Sequence, residues 1–322
     1  MTTPWFEKYR PTDFDGVAGN TKVVHMLANL LEKDVSIPNL LLCGPSGSGK
    51  TTCVDIVCDE IIRENPEAKF LRSSSFEERG IDYVRSTVKN FAKERLNNKR
   101  SPDFRPRPVK VVVLDEADSI APGAFQALRR VMEVFSNTTR FIIICNDSTK
   151  IIEPIQSRCA ILRFSKVEEA AMCSRMSQIC DMAGVEYDLG GIRALACVAD
   201  GDVRSAINSL GSTVSAFDSV TEKNVYRTCD SPQPAKIEEI LHLLGSKANY
   251  VRACRKLKDV VDDGYHSSDI VSTFFATSAH TPVEKEEVRL ELAKVIGLTQ
   301  ARVLNGASSY LQLAAMLWGI AE

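Results

Sequence analysis

Histidine is scarce in this chain, with four residues in 322, and tryptophan is scarcer still, with two. The four imidazoles (His25, His242, His266 and His280) are dispersed, so no cluster suggests a zinc site or a histidine proton relay. Cysteine is present ten times, yet no two cysteines show the two-residue separation typical of zinc sites. Many lie within apolar runs, as Cys43 and Cys145 do, so reduced and mostly buried thiols are expected rather than a disulfide framework. Long hydrophobic runs are also missing. The longest, such as Val111–Leu114 and Phe141–Cys145, fall far short of the roughly 20 residues a membrane helix needs. The opening Met1-Thr2-Thr3-Pro4 lacks the basic and then apolar segments of a secretory signal, and an intracellular protein without a membrane partner is expected. Net charge is small at −2, so bulk electrostatics does not announce a nucleic-acid partner. Charge is nevertheless uneven, because Arg79 to Lys110 holds ten Lys or Arg against three acids, Asp82, Glu94 and Asp103.

What is present begins with size and core: 322 residues, 44% of them hydrophobic, suggest two or three domains with ample apolar side chains. The most informative stretch is Gly44-Pro45-Ser46-Gly47-Ser48-Gly49-Lys50-Thr51, which fits the phosphate-binding loop pattern at every required position. Glycines let such a loop wrap closely, so that successive backbone N–H groups point inward at phosphate oxygens. Lys50 adds mobile positive charge for the β and γ phosphates, and Thr51 places a hydroxyl where it completes the shell of a Mg²⁺ that keeps several waters. Upstream, Asn39–Cys43 reads as a strand buried on both faces. Downstream, Thr52 to Arg63 carries Val54, Val57, Cys58 and Ile61 at helical spacing, so that a helix N-terminus faces the phosphates.

Val111–Leu114 followed by Asp115-Glu116-Ala117-Asp118 reads as a buried strand with carboxylates at its C-terminal end, where ligands lie in open parallel sheets. Asp115 would hold Mg²⁺ through water, and Glu116 would polarise the water that attacks the γ-phosphate. Arg140–Cys145 is a third strand candidate ending at Asn146, whose amide reaches the attacking water or the γ-phosphate if this strand lies between the other two. Arg158 and Arg204 carry guanidinium groups of the kind that stabilise charge on a transferred phosphoryl group, from the same subunit or a neighbour. Spacing alone leaves both open to the alternative of surface or salt-bridged arginines.

Taken together, Trp5–Pro11, the phosphate loop, Arg79-Gly80-Ile81-Asp82, Asp115–Asp118, Ala127-Leu128-Arg129-Arg130, Ser157-Arg158-Cys159 and Gly201-Asp202-Val203-Arg204 resemble the boxes of clamp-loader small subunits, the AAA+ ATPases of replication factor C. The resemblance runs from Pro4 to about Leu317 and is especially close over Lys150–Cys159. It implies an α/β fold: a P-loop parallel-sheet core with a helical lid, followed by an all-helical collar. The corresponding expected boundaries are residues 1–164, 165–230 and 231–322. The activity it implies is ATP hydrolysis within a heteropentamer that loads a sliding clamp, of the proliferating cell nuclear antigen type, onto primer–template DNA in the nucleus, during replication and repair. An alternative is a nucleotide-holding scaffold subunit that hydrolyses little itself; a helicase motor is suggested only by the tetrad Asp115–Asp118.

Residue by residue, the resemblance puts Tyr9, Arg10 and Val17 near the adenine and ribose, residues Gly44 to Thr52 on the phosphates, and Thr51 and Asp115 on Mg²⁺. Glu116 becomes the catalytic acid, Asn146 a first sensor, Arg204 a second sensor reaching in from the lid, and Arg158 a finger for the adjacent subunit's ATP. Ser46 and Ser48 replace a proline and a threonine usual in the loop without removing a backbone N–H. Ser74 stands near a position that is usually asparagine, which in the family looks like a switch coupling DNA contact to the catalytic glutamate; a serine shortens that reach. Arg79, Arg85, Lys89 and Lys150 are expected on the DNA backbone, the middle two on a helix from Ile81 to about Leu96. In a helix Phe125–Phe135, Met132 or Phe135 is expected to face the clamp. The segment Lys99–Pro108 reads as an exposed loop, and the C-terminal part as five amphipathic helices, about Lys236–Leu244, Asn249–Asp262, Ser268–Ser278, Val283–Ile296 and Ala301–Trp318.

Overall fold

Leu40–Cys43 is buried along its whole length and forms strand β1 at the heart of the computed structural model, which describes residues 3–32, 37–73, 81–94, 110–244, 247–280 and 286–321. Its neighbours are β4 (Thr139–Cys145) on one side and β5 (Ala160–Arg163) on the other; β3 (Lys110–Leu114) and β2 (Lys69–Ser73) continue beyond β4. All pairs are parallel, in the order β2-β3-β4-β1-β5. The strand ending at Asn146 therefore lies between the phosphate-loop strand and the acidic strand, as the sensor reading requires.

Alternation along the strands divides the core into two layers. Leu41, Val112, Leu114, Phe141 and Ile143 face one layer with Phe125, Leu128 and Val88, whereas Leu40, Leu42, Val111, Val113 and Ile142 face the other with Leu27, Val54 and Ile61. Helices therefore cover both faces, which explains why these strands read as continuous apolar runs instead of alternating ones. Burying one such leucine or isoleucine contributes about 1.5–3 kcal/mol.

Helix Lys50–Glu64 follows the phosphate loop, and Pro122–Val134 follows the acidic strand. The latter starts three residues earlier than its expected beginning because Pro122 occupies its first turn, where a missing N–H costs nothing. Met132 on this helix is only 2% exposed and Phe135 is half-buried against the same core layer, so the expectation that one of them faces a clamp is corrected for Met132; Val134 is the apolar side chain that stands out there. The helical stretch Ile81–Lys93 contains one wider π turn at Val84–Val88 and stops at Lys93, short of Leu96. Lys110 Nζ donates to the carbonyl oxygens of Ala92 and Glu94, which satisfies acceptors left open at that helix end. Ser74, Arg79 and the Lys99–Pro108 loop lie outside the described residues.

After Ser165 helices dominate: Glu169–Ala183, Leu189–Ala199 and Val203–Phe217. Strand pairing does not end there, since Glu186–Tyr187 pairs in parallel with Ser219–Val220. The chain divides into two compact units, residues 1–220 and 221–322. The second unit opens with the short helix Glu222–Thr228. Its later helices, Pro234–Leu244, Tyr250–Asp262, Ser267–His280, Glu286–Leu304 and Tyr310–Ala321, pack around Ile237, Leu257, Phe274, Ile296 and Leu313. The expected break after Ile296 is absent. Gly297 is absorbed into a continuous helix, and the chain turns instead at Gly306, whose φ of +100° suits glycine at a helix C-terminus.

Candidate nucleotide site

The loop between β1 and helix Lys50–Glu64 turns on three glycines with positive φ: Gly44 (+150°), Gly47 (+63°) and Gly49 (+95°). A Cβ on Gly44 would stand 2.3 Å from the carbonyl oxygen of Phe164, so close approach of the chain after β5 enforces glycine there. Gly47 is held differently. A Cβ on it would meet Asp202 Oδ1 at 1.9 Å, and the Val203 N–H donates to the Gly47 carbonyl at 3.2 Å. The segment Gly201–Arg204 is therefore seated directly on the loop, with Asp202 capping its own helix through the Ser205 N–H at 2.8 Å.

Lys50 is 7% exposed and donates through Nζ to the Gly44 and Pro45 carbonyls, each at 2.7 Å, and to Asn146 Oδ1 at 3.2 Å. Burial pushes its pKa down, while Cys145, Asp115 and Asp118 act in the opposite direction. Thr51 Oγ1 donates to Asp115 Oδ2 at 3.3 Å. These two hard oxygen donors, side by side next to a helix N-terminus, fit a Mg²⁺ that retains waters. Glu116 has the left-handed φ of +51°, and its N–H donates to Asp115 Oδ1 at 2.9 Å. That sharp turn brings two consecutive acids to one cleft, a local strain of the type that concentrates at functional sites.

The cleft encloses about 350 Å³. Lining it are Tyr9, Arg10 and Val17 from the N-terminal segment, residues 46 to 52, Asp115, Glu116, Asn146 and Arg204. Gly44 and Pro45 take part through their carbonyls instead. Two contributors carry no sequence signal strong enough to single them out. Phe6 lies under Arg204, the guanidinium 4.5 Å from the ring centroid, and Arg175 donates from its Nη2 to the Tyr9 carbonyl at 2.8 Å. Helical spacing on Glu169–Ala183 is the one signal for Arg175, but a single arginine on a mixed helix surface does not stand out. Arg158 lies outside the cleft: Nη2 donates to Glu133 Oε1 at 2.6 Å and Nη1 to the Pro154 carbonyl at 2.6 Å. Arg129 donates to the same Glu133 oxygen, which with Arg158 holds that carboxyl below its ordinary pKa.

Arg85, Lys89 and Lys93 are exposed along one row, beside the buried row Val84, Val88 and Ala92, and Lys150 is exposed after β4. All ten cysteines are free; burial pushes Cys53 and Cys145 up to about 12, which keeps both thiols protonated and inert. Among the described residues, no group of His, Cys, Asp and Glu is arranged to hold a metal by itself, and no helix is long and apolar enough to cross a membrane.

A five-stranded parallel sheet carrying this loop, two acids at the end of the strand next but one and a helical segment seated on the loop define an ATPase domain of the AAA type. Residues 40–167 match the family described as ATPase family associated with various cellular activities, and residues 232–318 match the replication factor C C-terminal domain. The chain belongs to the replication factor C family of AAA+ proteins. It is 42% identical to replication factor C subunit 4 of Saccharomyces cerevisiae over 317 residues, covering 98% of this chain and 95% of that protein. It is 40% identical to replication factor C subunit 2 of Arabidopsis thaliana, covering 98% and 92%, and 36% identical to the replication factor C small subunit of Methanococcus maripaludis strain C5, covering 98% of both. Cys229–Pro232 and Ser309–Ala314 resemble subunit 2, but relatives of similar identity carry the numbers 4 and 2, so the likeness fixes the family and not the number. Among solved structures, the Thermotoga maritima RuvB Holliday junction branch migration motor shares the fold with a TM-score of 0.56 at 16% identity, covering 82% of this chain and 90% of that one.

Proposed function

We propose that this chain is an ATP-hydrolysing subunit of a heteropentameric loader, which places a ring-shaped clamp of the proliferating cell nuclear antigen type on primer–template DNA in the nucleus. Residues 1–164 form the ATPase core, 165–230 the lid and 231–322 an oligomerisation collar. The observation that carries the reading is the seating of Gly201–Arg204 on the phosphate loop, which puts Arg204 in the same cleft as Lys50, Glu116 and Asn146. Tyr9, Arg10 and Val17 border the base and ribose, and the backbone from Gly44 to Thr52 with Lys50 grips the phosphates. Thr51 and Asp115 would hold Mg²⁺, which neutralises phosphate charge when bound. Glu116 polarises the attacking water, Asn146 orients it, and Arg204 stabilises the γ-phosphate.

Arg158 serves a neighbour. It lies outside its own cleft, and its side chain, paired with Glu133, is 33% exposed. The exposed Arg85, Lys89 and Lys150, together with Arg79, contact DNA phosphates, which position the protein without reading sequence. Exposed apolar residues on the second unit, among them Leu290, Leu298 and Leu311, suit packing against other subunits.

Two substitutions in the reconstituted assembly test this function. Glu116→Gln retains nucleotide binding but lowers DNA- and clamp-stimulated ATP turnover by about 10²-fold or more per site, the scale of a lost catalytic group. Arg158→Ala leaves nucleotide affinity at the chain's own site unchanged while turnover at the adjacent site falls. If Glu116→Gln leaves assembly turnover untouched and Arg158→Ala reduces it, the chain is the nucleotide-holding scaffold instead.

A further inference from the structure

Arg72, the second-to-last residue of β2, does not line the cleft, yet its guanidinium bridges two carboxylates. Nη1 donates to Asp55 Oδ1 at 2.6 Å, and Nη2 lies 3.7 Å from Asp115 Oδ2. That same Asp115 oxygen accepts the Thr51 hydroxyl. On its other side, Asp55 Oδ2 is 2.9 Å from Arg10 Nη1. A chain of alternating charge thus runs Arg10, Asp55, Arg72, Asp115, linking the N-terminal segment, helix Lys50–Glu64, the edge strand and the acidic strand. Asp55 and Asp115 are mostly screened from water at 22% and 16% side-chain exposure, so their interaction is stronger than that of a fully solvated surface pair.

A fixed cation beside the metal-facing oxygen of Asp115 opposes a divalent cation at that oxygen. Asp55 works the other way. It takes one arm of Arg72 and offsets its charge, so that Arg72 is held between two acids instead of closing fully on Asp115. We propose that Arg72 and Asp55 are positioning residues that set the Mg²⁺ affinity of the nucleotide site, Arg72 weakening it and Asp55 restoring it. The inference rests on the Mg²⁺–ATP reading of the cleft, with Thr51 and Asp115 as its metal oxygens.

The test is a metal titration of the full chain with a non-hydrolysable ATP analogue. Mn²⁺ binding is followed by electron paramagnetic resonance, and Mg²⁺ by its competition with Mn²⁺. Arg72→Gln should lower the midpoint concentration about two- to fivefold, the range a partly exposed ion pair supplies. Asp55→Asn should raise it by a similar factor, and the double substitution should keep the lowered midpoint of Arg72→Gln, because without Arg72 there is no guanidinium charge for Asp55 to offset. Arg72→Lys, which retains the charge, should stay close to wild type. Circular dichroism melts identify any variant that unfolds, and Arg72→Lys against Arg72→Gln then carries the comparison alone. Midpoints that shift the same way for Arg72→Gln and Asp55→Asn, or stay unchanged in both, overturn the inference. Failure of the wild-type chain to bind the analogue at any metal concentration overturns the nucleotide-site reading instead.

Discussion

Replacing Gly47 by alanine probes the seat of the lid segment on the phosphate loop, at a position the loop pattern itself leaves free. Two costs follow from the geometry. First, φ of +63° at residue 47 is a left-handed conformation, which costs an L-residue about 1–2 kcal/mol. Second, the new methyl would stand 1.9 Å from Asp202 Oδ1 and 2.2 Å from its Cγ, so the carboxylate has to move. Moving it breaks the 2.8 Å cap on the Ser205 N–H, worth about 1 kcal/mol. The sum is about 2–3 kcal/mol. For a unit of this size that corresponds to a loss of roughly 4–12 °C in melting temperature. Arg204 sits two residues from Asp202, so ATP affinity falls together with stability. Thermal unfolding and fluorescent-nucleotide binding are measured for Gly47→Ala, Asp202→Ala and the double variant. In the Asp202→Ala background the methyl meets no carboxylate, so only the backbone cost of about 1–2 kcal/mol remains and the two substitutions are less than additive. Strict additivity, or unchanged ATP binding by Gly47→Ala, refutes the steric reasoning.

Two further outcomes concern charge. Lys50 has its pKa lowered by burial, and phosphate oxygens beside it raise that pKa again, so the bound state holds the proton more tightly. ATP affinity is therefore complete below the depressed pKa of the free chain and declines as pH rises through it; equilibrium binding across a pH series, with calorimetry in buffers of different ionisation enthalpy, should show proton uptake where the free chain has lost the proton. Arg85→Ala with Lys89→Ala in the assembled complex should weaken primed-DNA binding and reduce the salt dependence of log K by about 0.9 for each DNA phosphate that is no longer neutralised. An unchanged slope removes this helix from the DNA face.

Much of the nucleotide site is legible in the sequence because its parts are local. The loop from Gly44 to Thr51 and the pair Asp115-Glu116 are contiguous, and each follows an apolar run whose period and length mark a buried strand. The five helices expected from Lys236 onward are legible for the same reason, except that the expected break after Ile296 is absent and the helix Glu286–Leu304 runs through Gly297. Strands β2 and β5 are hidden from such reading. Lys69–Ser73 is an edge strand with polar, exposed positions, and Ala160–Arg163 is largely exposed, so neither shows the apolar run that betrays a central strand. Met132 departs from expectation because helical spacing gives a face but not which partner covers it.

By itself the sequence determined that this chain carries a phosphate-loop pattern, an acidic strand end, an asparagine at the end of a third strand and two candidate arginines, since these depend on side-chain chemistry at fixed offsets. Only the tertiary structure decided how they meet. It seats Asp202 against Gly47, separates Arg204 in the cleft from Arg158 paired with Glu133 outside it, and brings Arg72 within reach of Asp115 from the edge strand, three places away from β1. Such contacts join residues far apart along the chain, and their distances are set by sheet order and helix packing, which no local pattern encodes.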